Sequence, residues 1–175
     1  MQELRRLSPE EFKATKKTTI VIILDNIRSA LNVGSAFRTS DAFLIAEIAL
    51  CGITAKPPHR EILKTAIGAT KTVDWQAFEH THRAVDYYKE QGFRIVAVEQ
   101  AKNSTMLQNF EAAAGEKIAL VFGNEVKGVE QGIMDVVDCC IEIPQFGSKH
   151  SFNVSVSMGI VLWSLTNKIR PELMK

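Results

Sequence analysis

The chain has 175 residues, of which 46% are hydrophobic and 23% charged, and its formal net charge is +1. This predicts one substantial core and excludes the strongly basic class of non-specific nucleic-acid binders, so any RNA contact must come from a local patch. Three cysteines, with Cys139 and Cys140 adjacent, fit neither a disulfide framework nor a spaced metal site, and no apolar run is long enough for a membrane span, so we expect a cytoplasmic protein without a membrane partner.

The first residues, 1–17, are predicted to form a short polar arm, and residues 18–175 a single domain. Within the arm, Ser8-Pro9-Glu10-Glu11 is typical of a helix start, with serine at the N-cap, proline at N1 and glutamate at N3. The arm is mildly basic and could contact phosphate, although a solvated terminal helix with frayed ends is the favoured interpretation.

Apolar runs alternate with amphipathic segments along the rest of the chain. The runs are rich in β-branched residues and continuous, which favours strands of a parallel sheet covered on both faces. Residues 103–105 are predicted to form a turn or cap. Strands are predicted at 19–24, 47–51, 71–78, 93–99, 117–122 and 137–143, and helices at 32–43, 58–66, 80–91 and 151–169. The sequence therefore predicts an α/β fold with a mostly parallel six-stranded sheet and helices on both faces.

The last predicted helix, 151–169, is polar at its start and apolar on nearly every side. Ser151 is predicted to cap it, since its hydroxyl can accept a hydrogen bond from a first-turn N–H. Asn153 would then lie in the first turn, where its carboxamide needs a partner, either nearby backbone or a ligand. A helix apolar all round is expected to be buried all round, and we expect one flank to pack against another subunit.

Two sequence patterns resemble ligand sites but lack essential members. The pair His80-x-His82 has no third ligand nearby, so no metal site is predicted. The two glycines of residues 123–128 follow a strand, but the lysine precedes the second glycine and no Ser or Thr follows it, which excludes a P-loop.

Three polar loops follow predicted strands and should meet at one edge of the sheet. One contains Asn32 and Arg38, one spans 123–128 and contains Glu125, and one spans 144–153. Ligands of parallel sheets bind outside the carboxyl ends of the strands. The set of side chains and glycines suits backbone binding of a polar cofactor and the positioning of a phosphate or ribose.

The three loops contain motifs that occur together in a known family. In chain order, they are Asn32 followed by Arg38-Thr39; Phe122-Gly123-Asn124-Glu125 followed by Gly128; and Ile143-Pro144 followed by Ser151-Phe152-Asn153-Val154-Ser155. Over about residues 20–165 the chain resembles the SpoU or TrmH-like class of the SPOUT RNA methyltransferases in motif order and spacing. Phe152 stands where leucine is usual and Gln145 where an apolar residue is common, and neither departure affects a polar group.

The resemblance implies an α/β fold whose C-terminal segment passes through a loop to form a trefoil knot. The residues alone would predict an ordinary doubly wound sheet, since knots are rare. The resemblance also implies S-adenosylmethionine as cofactor, a homodimer that packs through the first and last helices, and methyl transfer to a ribose 2′-hydroxyl of RNA. Transfer RNA is favoured as substrate, at the D-loop or the wobble position. The alternatives are ribosomal RNA, and a cofactor-binding RNA-binding dimer without catalysis.

The resemblance also assigns roles to individual residues. Arg38 would accept or polarise the hydroxyl proton; because a guanidinium is a poor base, it could instead bind the adjacent phosphate and stabilise the alkoxide. Asn32, Glu125, Ser151 and Asn153 would orient the RNA and Arg38. The expected cofactor-binding residues, largely through their backbone, are Val98, Glu99, Phe122, Gly123, Asn124, Ile143, Pro144, Ser151 and Asn153.

Overall fold

The computed structural model describes residues 7–148 and 151–174. Its helices are α1 (Pro9–Ala14), α2 (Ala30–Ala42), α3 (Arg60–Ala66), α4 (Thr81–Glu90), α5 (Gln131–Met134) and α6 (Val154–Ile169). Its strands are β1 (Ile20–Asp25), β2 (Glu47–Cys51), β3 (Asp74–Phe78), β4 (Arg94–Val98), β5 (Thr105–Met106), β6 (Ile118–Phe122) and β7 (Cys139–Glu142).

The strands form one parallel sheet in the order β3-β2-β1-β6-β4-β7-β5. Every residue of β1 and β6, at the centre, is buried, which accounts for their continuous apolar sequences. One face carries a core to which α2, α3 and α6 contribute, and the other carries a core to which α4 and α5 contribute. The α/β class predicted from the sequence is confirmed.

The predicted number of strands was wrong by one. The additional strand is β5, two residues long, which pairs with β7 through Thr105↔Ile141 and Met106↔Glu142. Its start had been predicted as a turn, because two residues carry too little periodicity to indicate a strand. The third strand is also shorter than predicted, since residues 69–71 form a 3-10 turn before β3 begins.

The arm contributes to the core instead of standing free in solvent. The predicted helix start is present as a capping box, in which Ser8 accepts from the Glu11 N–H and the Glu11 side chain accepts from the Ser8 N–H. Phe12 is 4% exposed and packs into the core on the α2 face. The solvated interpretation was therefore wrong for this side chain. Arg5 and Arg6 of the arm lie outside the described residues.

The last helix is less buried than its sequence predicted. Its inner face, including Met158 and Leu162, packs into the core, but Val156 is 50% exposed and Trp163 is 59% exposed. An apolar pattern cannot show whether a side chain is covered by its own sheet or by something else. Over residues 7–148 and 151–174, no helix combines the length and apolar character needed to cross a membrane.

Candidate functional site

A cavity of about 790 Å³ lies at the carboxyl edge of the sheet, where the loops after β4, β6 and β7 meet the start of α6. Its size is within the range of small-molecule and cofactor sites. Eight of the nine predicted cofactor-binding residues line it: Val98, Glu99, Phe122, Gly123, Asn124, Ile143, Ser151 and Asn153. The ninth, Pro144, lies between the lining residues Ile143 and Gln145 but does not itself line the cavity.

The loop after β6 is held in a tight turn by Asn124. Its backbone exchanges two hydrogen bonds with Gly128, of 3.0 and 2.8 Å, and its Oδ1 accepts from the N–H groups of Val126 and Lys127 at 2.9 and 3.1 Å. Its Nδ2 donates to the carbonyl of Asn26 at 2.7 Å, which attaches the loop to the end of β1. The side chain predicted to bind a cofactor therefore also folds the loop.

Two positions of this loop have no room for a side chain. A Cβ on Gly123 would lie 2.2 Å from the backbone of Gly128 and Val129. Gly128 has a φ of +69°, and its Cβ would lie 2.3 Å from Oε2 of Glu99. The Glu99 carboxylate accepts from the N–H of Val129 at 3.0 Å, so it joins the end of β4 to the loop after β6. Both glycines are required by the geometry of the cavity wall.

Glu125 joins the same loop to the start of α2. Its carboxylate accepts from the N–H of Arg28 at 2.9 Å, the N–H of Ser29 at 3.1 Å and Nδ2 of Asn32 at 3.0 Å. Partial burial acts to raise the pKa of Glu125, but hydrogen bonds from backbone N–H groups and from Asn32 outweigh it and lower the pKa below its usual value. The carboxylate is therefore ionised at neutral pH and holds the start of α2 against the cavity.

Asn153 is the N-cap of α6, which corrects the prediction that Ser151 caps the helix. The Asn153 Oδ1 accepts from the N–H of Ser155 at 2.8 Å and from its hydroxyl at 2.6 Å. Its Nδ2 donates to Oδ1 of Asn32 at 3.2 Å. The carboxamide that seemed to need a ligand is thus partnered within the chain, while Ser151 is exposed and lines the cavity.

Glu125, Asn32 and Asn153 therefore form a continuous chain of hydrogen bonds, named here the three-loop bridge. It joins the loop after β6 to the starts of α2 and α6. The sequence placed these residues in three separate loops, and the structure brings them together beside the cavity. Such an array can fix the relative positions of the loops and offer amide groups to a polar ligand at the cavity mouth.

Arg38 is the predicted residue that the structure keeps apart from the others. It is exposed, does not line the cavity and, among the described residues, makes no hydrogen bond to a bridge residue. Arg38 follows Asn32 by six residues, which places it about 9 Å further along the axis of α2 and about 120° around it. Within one copy of the chain, Arg38 and the three-loop bridge point in different directions.

The loop after β4 was missed by the reasoning from residue types. Gln100 and Ala101 follow β4 at the same edge of the sheet and line the cavity together with Val98 and Glu99. The last two had been named only through the family resemblance. The rule that ligands bind at the carboxyl ends of parallel strands would have indicated this fourth loop, because β4 was predicted as a strand.

A buried carboxylate beneath the site was also missed. Asp25, 1% exposed, accepts from Oγ1 of Thr81 at 2.6 Å, the N–H of Glu130 at 3.1 Å and Nδ2 of Asn26 at 2.8 Å. An acidic residue directly after a buried apolar strand was the available signal. Within the described residues there is no group of three or more His, Cys, Asp or Glu side chains suited to a metal ion.

Comparison with protein families gives a match over most of the chain. The model of the SpoU rRNA Methylase family matches residues 19–163. Among curated relatives, a tRNA (guanosine(18)-2′-O)-methyltransferase of Borreliella burgdorferi is 25% identical over 151 residues, which cover 86% of this chain and 67% of the relative. A 23S rRNA (guanosine-2′-O-)-methyltransferase of Neisseria meningitidis is 29% identical over 143 residues, covering 82% of this chain and 56% of the relative. The chain spans about two thirds of these relatives or less.

Solved structures show the same fold. The TrmH/SpoU tRNA modifying enzyme of A. aeolicus superposes with a TM-score of 0.81 at 26% identity, over 95% of this chain and 82% of the other. An AdoMet-bound rRNA methyltransferase of Sinorhizobium meliloti superposes with a TM-score of 0.80 at 24% identity, over 93% of this chain and 61% of the other. These likenesses include the parallel sheet and the helices on its faces.

Proposed function

The chain belongs to the SpoU rRNA methylase family, since the family model matches residues 19–163, and we propose that it transfers a methyl group from S-adenosylmethionine to a ribose 2′-hydroxyl of RNA. The resemblance stated from the sequence motifs is thereby confirmed at the level of the family. The observation that carries the proposal is the three-loop bridge, which joins the three motif-bearing loops beside one cavity.

The cavity fits the proposed cofactor in size and in the chemistry of its walls. Val98, Phe122 and Ile143 give it apolar surface for a flat base, and Glu99 and Glu142 among its lining residues supply negative charge that complements a cationic ligand. The backbone around Gly123 and Pro144 is proposed to hold the ribose and the methionine part. When bound, S-adenosylmethionine supplies a methyl group on a positively charged sulfur, which an oxygen nucleophile can accept. The trefoil knot implied by the family resemblance is part of the same proposal, as the chain's way of enclosing this ligand.

The bridge residues are proposed to position the RNA. In-line methyl transfer needs the ribose oxygen about 3 Å from the methyl carbon, so much of the rate depends on orientation. The Asn32 side chain donates from Nδ2 to the Glu125 carboxylate and accepts at Oδ1 from the Asn153 amide. These bonds hold the start of α2 in place beside the cavity, and Ser151, which lines the cavity, is proposed to orient the ribose.

Arg38 is proposed to stabilise the charge that develops on the ribose 2′-oxygen. The oxygen–methyl bond forms as the sulfur–methyl bond breaks, and the hydroxyl proton leaves to water. A guanidinium stays protonated at neutral pH, so it serves as a hydrogen-bond donor to the 2′-oxygen and the adjacent phosphate rather than as a base.

A homodimer is proposed as the active form, with a second copy covering the outer face of α6. Val156, Ile160 and Trp163 are spaced so that they fall on one side of the helix, and two of them are at least half exposed. Arg38 lies on the outer side of the neighbouring helix α2. Packing of two copies through these outer faces would bring Arg38 of one copy towards the cavity of the other.

The first experiment asks whether methylation occurs and on which atom. The protein is incubated with labelled S-adenosylmethionine and RNA from cells that lack the gene, and the nucleosides are separated. We expect 2′-O-methylnucleoside on transfer RNA, which we propose as substrate ahead of ribosomal RNA; product on ribosomal RNA alone would overturn that choice of substrate. A base-methylated product, or none on either RNA, would contradict the proposed reaction.

A complementation experiment tests the placement of Arg38. Arg38→Ala and Asn153→Ala chains, each inactive alone, are co-expressed with different tags and purified through both. If Arg38 acts across the dimer, the mixed dimer contains one site with intact Arg38 and Asn153, and activity returns to up to half that of wild type. No recovery in a mixed dimer of normal stability would place Arg38 in the site of its own chain.

A further inference from the structure

A group of positive side chains lies beside the cavity and is not used by the proposed chemistry. Arg28, Lys56, Arg60 and Lys64 are all exposed. Among the described residues the ion pairs involve His80, Arg94 and Arg170, so none of these four cations is neutralised by a carboxylate. Residues 53–68 contain three Lys or Arg and one acidic residue, Glu61, in a chain whose net charge is +1. Positive charge is therefore concentrated locally. A chain with a net charge near zero can bind RNA only through a local patch of this kind.

Hydrogen bonds attach this group to the rim of the site. The N–H of Arg28 donates to Glu125 of the three-loop bridge at 2.9 Å. One residue earlier, the N–H of Ile27 donates to Oγ1 of Thr54 at 3.0 Å, and Oδ1 of Asn26 accepts from the N–H of Ile53 at 3.2 Å. The segment that leads to Lys56 and α3 is thus attached to the loop after β1, and the same loop donates hydrogen bonds to Glu125.

Helix α3 carries the far end of the group on an outward face. Arg60 and Lys64 are separated by one turn, so their side chains lie on the same side of the helix. Another side of α3 packs closely on α2. There, Oγ1 of Thr65 donates to the carbonyl of Leu31 at 2.9 Å, and a Cβ on Gly34 would lie 2.0 Å from Oγ1 of Thr65.

Helix α3 lies on a different side of α2 from α6. Gly34, which faces α3, and Asn32, which faces α6 through Asn153, are about 200° apart around α2. Helices α3 and α6 therefore lie on different sides of α2, and the basic side chains of α3 are separate from the exposed apolar side chains of α6.

We infer that Arg28, Lys56, Arg60 and Lys64, named here the basic edge, bind the phosphate backbone of the RNA next to the nucleotide that is methylated. The inference rests on the proposed function, because it takes RNA as the substrate of the adjacent cavity. Exposed Arg and Lys side chains recognise phosphate without reading bases, so the basic edge sets position and affinity and leaves the choice of nucleotide to the cavity.

The length of the basic edge fits several nucleotides. The six residue-to-residue steps from Thr54 to Arg60 can span at most about 20 Å. A stacked strand carries one phosphate per roughly 3.4 Å of rise, so at most about six nucleotides pass along this distance. Each neutralised phosphate adds about 0.7 to 0.9 to the slope of log affinity against log salt. Loss of two contacts should therefore reduce the steepness of that slope by roughly 1.4 to 1.8.

The test compares two double charge reversals with equal change in net charge. Lys56→Glu with Arg60→Glu alters the basic edge, whereas Lys71→Glu with Arg83→Glu alters exposed cations elsewhere, Lys71 near the amino edge of the sheet and Arg83 on the opposite face. Transfer RNA from cells lacking the gene is bound to each protein over a range of KCl concentrations. S-adenosylmethionine affinity is measured in parallel as the control for folding.

We expect the basic-edge variant to bind transfer RNA about tenfold more weakly, with the shallower salt dependence, while the Lys71 and Arg83 variant stays within threefold of wild type. Equal losses in both variants would overturn the basic edge, as would no loss in the first. If the reversal variant loses S-adenosylmethionine binding, Lys56→Gln with Arg60→Gln replaces it and should still reduce the slope. If the wild-type protein methylates RNA and the basic-edge variant binds transfer RNA as well as wild type does, the basic edge is refuted and the proposed reaction stands. If the wild-type protein methylates no RNA, the proposed reaction is refuted.

Discussion

The carboxylate of Glu125 should stabilise the folded protein in a way that depends on its charge. Two substitutions test this: Glu125→Gln removes the charge and preserves the shape of the side chain, and Glu125→Ala removes the carboxylate altogether. The carboxylate accepts hydrogen bonds from Arg28, Ser29 and Asn32 at 2.9 to 3.1 Å. Because the side chain is exposed, water replaces part of what is lost, and the cost resembles that of an N-cap residue. We expect Glu125→Ala to lower the free energy of unfolding by about 1–2 kcal/mol.

The pH dependence has a definite sign. The pKa of Glu125 is lowered in the folded protein, mainly by donated hydrogen bonds that outweigh the effect of partial burial. A depressed pKa contributes stability above the ordinary glutamate value, about 4.3, and this contribution is lost as pH falls through the folded value. The difference between wild type and Glu125→Gln should therefore be constant from about pH 6 to 8 and shrink below about pH 4.

Urea unfolding followed by tryptophan fluorescence measures this difference, since the chain has two tryptophans. The control is Glu90→Gln, at an exposed position of α4, whose curve should follow that of wild type at every pH. If wild type and Glu125→Gln have the same free energy of unfolding at pH 7, or a difference that persists unchanged at pH 3, the charged bridge does not stabilise the fold as argued.

Three further predictions concern the loops and the outer face of α6. Gly128→Ala should lower the free energy of unfolding by about 1–3 kcal/mol more than Gly68→Ala, because both glycines have positive φ but only Gly128 has no space for a Cβ. Equal losses of stability in thermal or urea unfolding would contradict the steric argument. Asn153→Ala should lower the free energy of unfolding by about 1 kcal/mol through the lost N-cap. A double-mutant cycle with Asn32→Ala should give a coupling free energy of about 0.5–1 kcal/mol, and additive losses would mean that the amide pair is not a stabilising contact. Trp163→Glu should convert the proposed dimer to a monomer in light scattering without loss of helix content, and an unchanged mass would exclude this face.

The sheet was largely predictable from sequence because each buried strand carries its own signal. In β1 and β6 every side chain is buried, so the run of apolar residues is continuous and marks the strand almost to the residue. The two residues of β5 carry no such signal, and the strand exists only because Thr105 meets Ile141 at the edge of the sheet. Its presence depends on the tertiary fold, which local sequence does not encode.

The start of α6 shows a different limit. Ser151 and Asn153 are both good N-cap residues, and a preference for residue types cannot choose between them. The choice follows from a contact 121 residues away in sequence, because Asn32 accepts from the amide of Asn153. The same contact answers the question of what partners the carboxamide. Both polar residues were correctly associated with the site region, but their division between cap and cavity wall required the folded chain.

The position of Arg38 on α2 bears on how copies of the chain assemble. Six residues of helix separate Arg38 from Asn32, and the resulting rotation of about 120° keeps the two side chains on different sides of α2. Asn32 is already engaged with Glu125 and Asn153, so α2 cannot rotate to bring Arg38 inward without breaking the bridge. If both residues serve one reaction, we propose that they belong to different copies of the chain. The exposed apolar face of α6, beside α2, provides the surface on which two copies can meet, and this is why the activity and the dimer are proposed together.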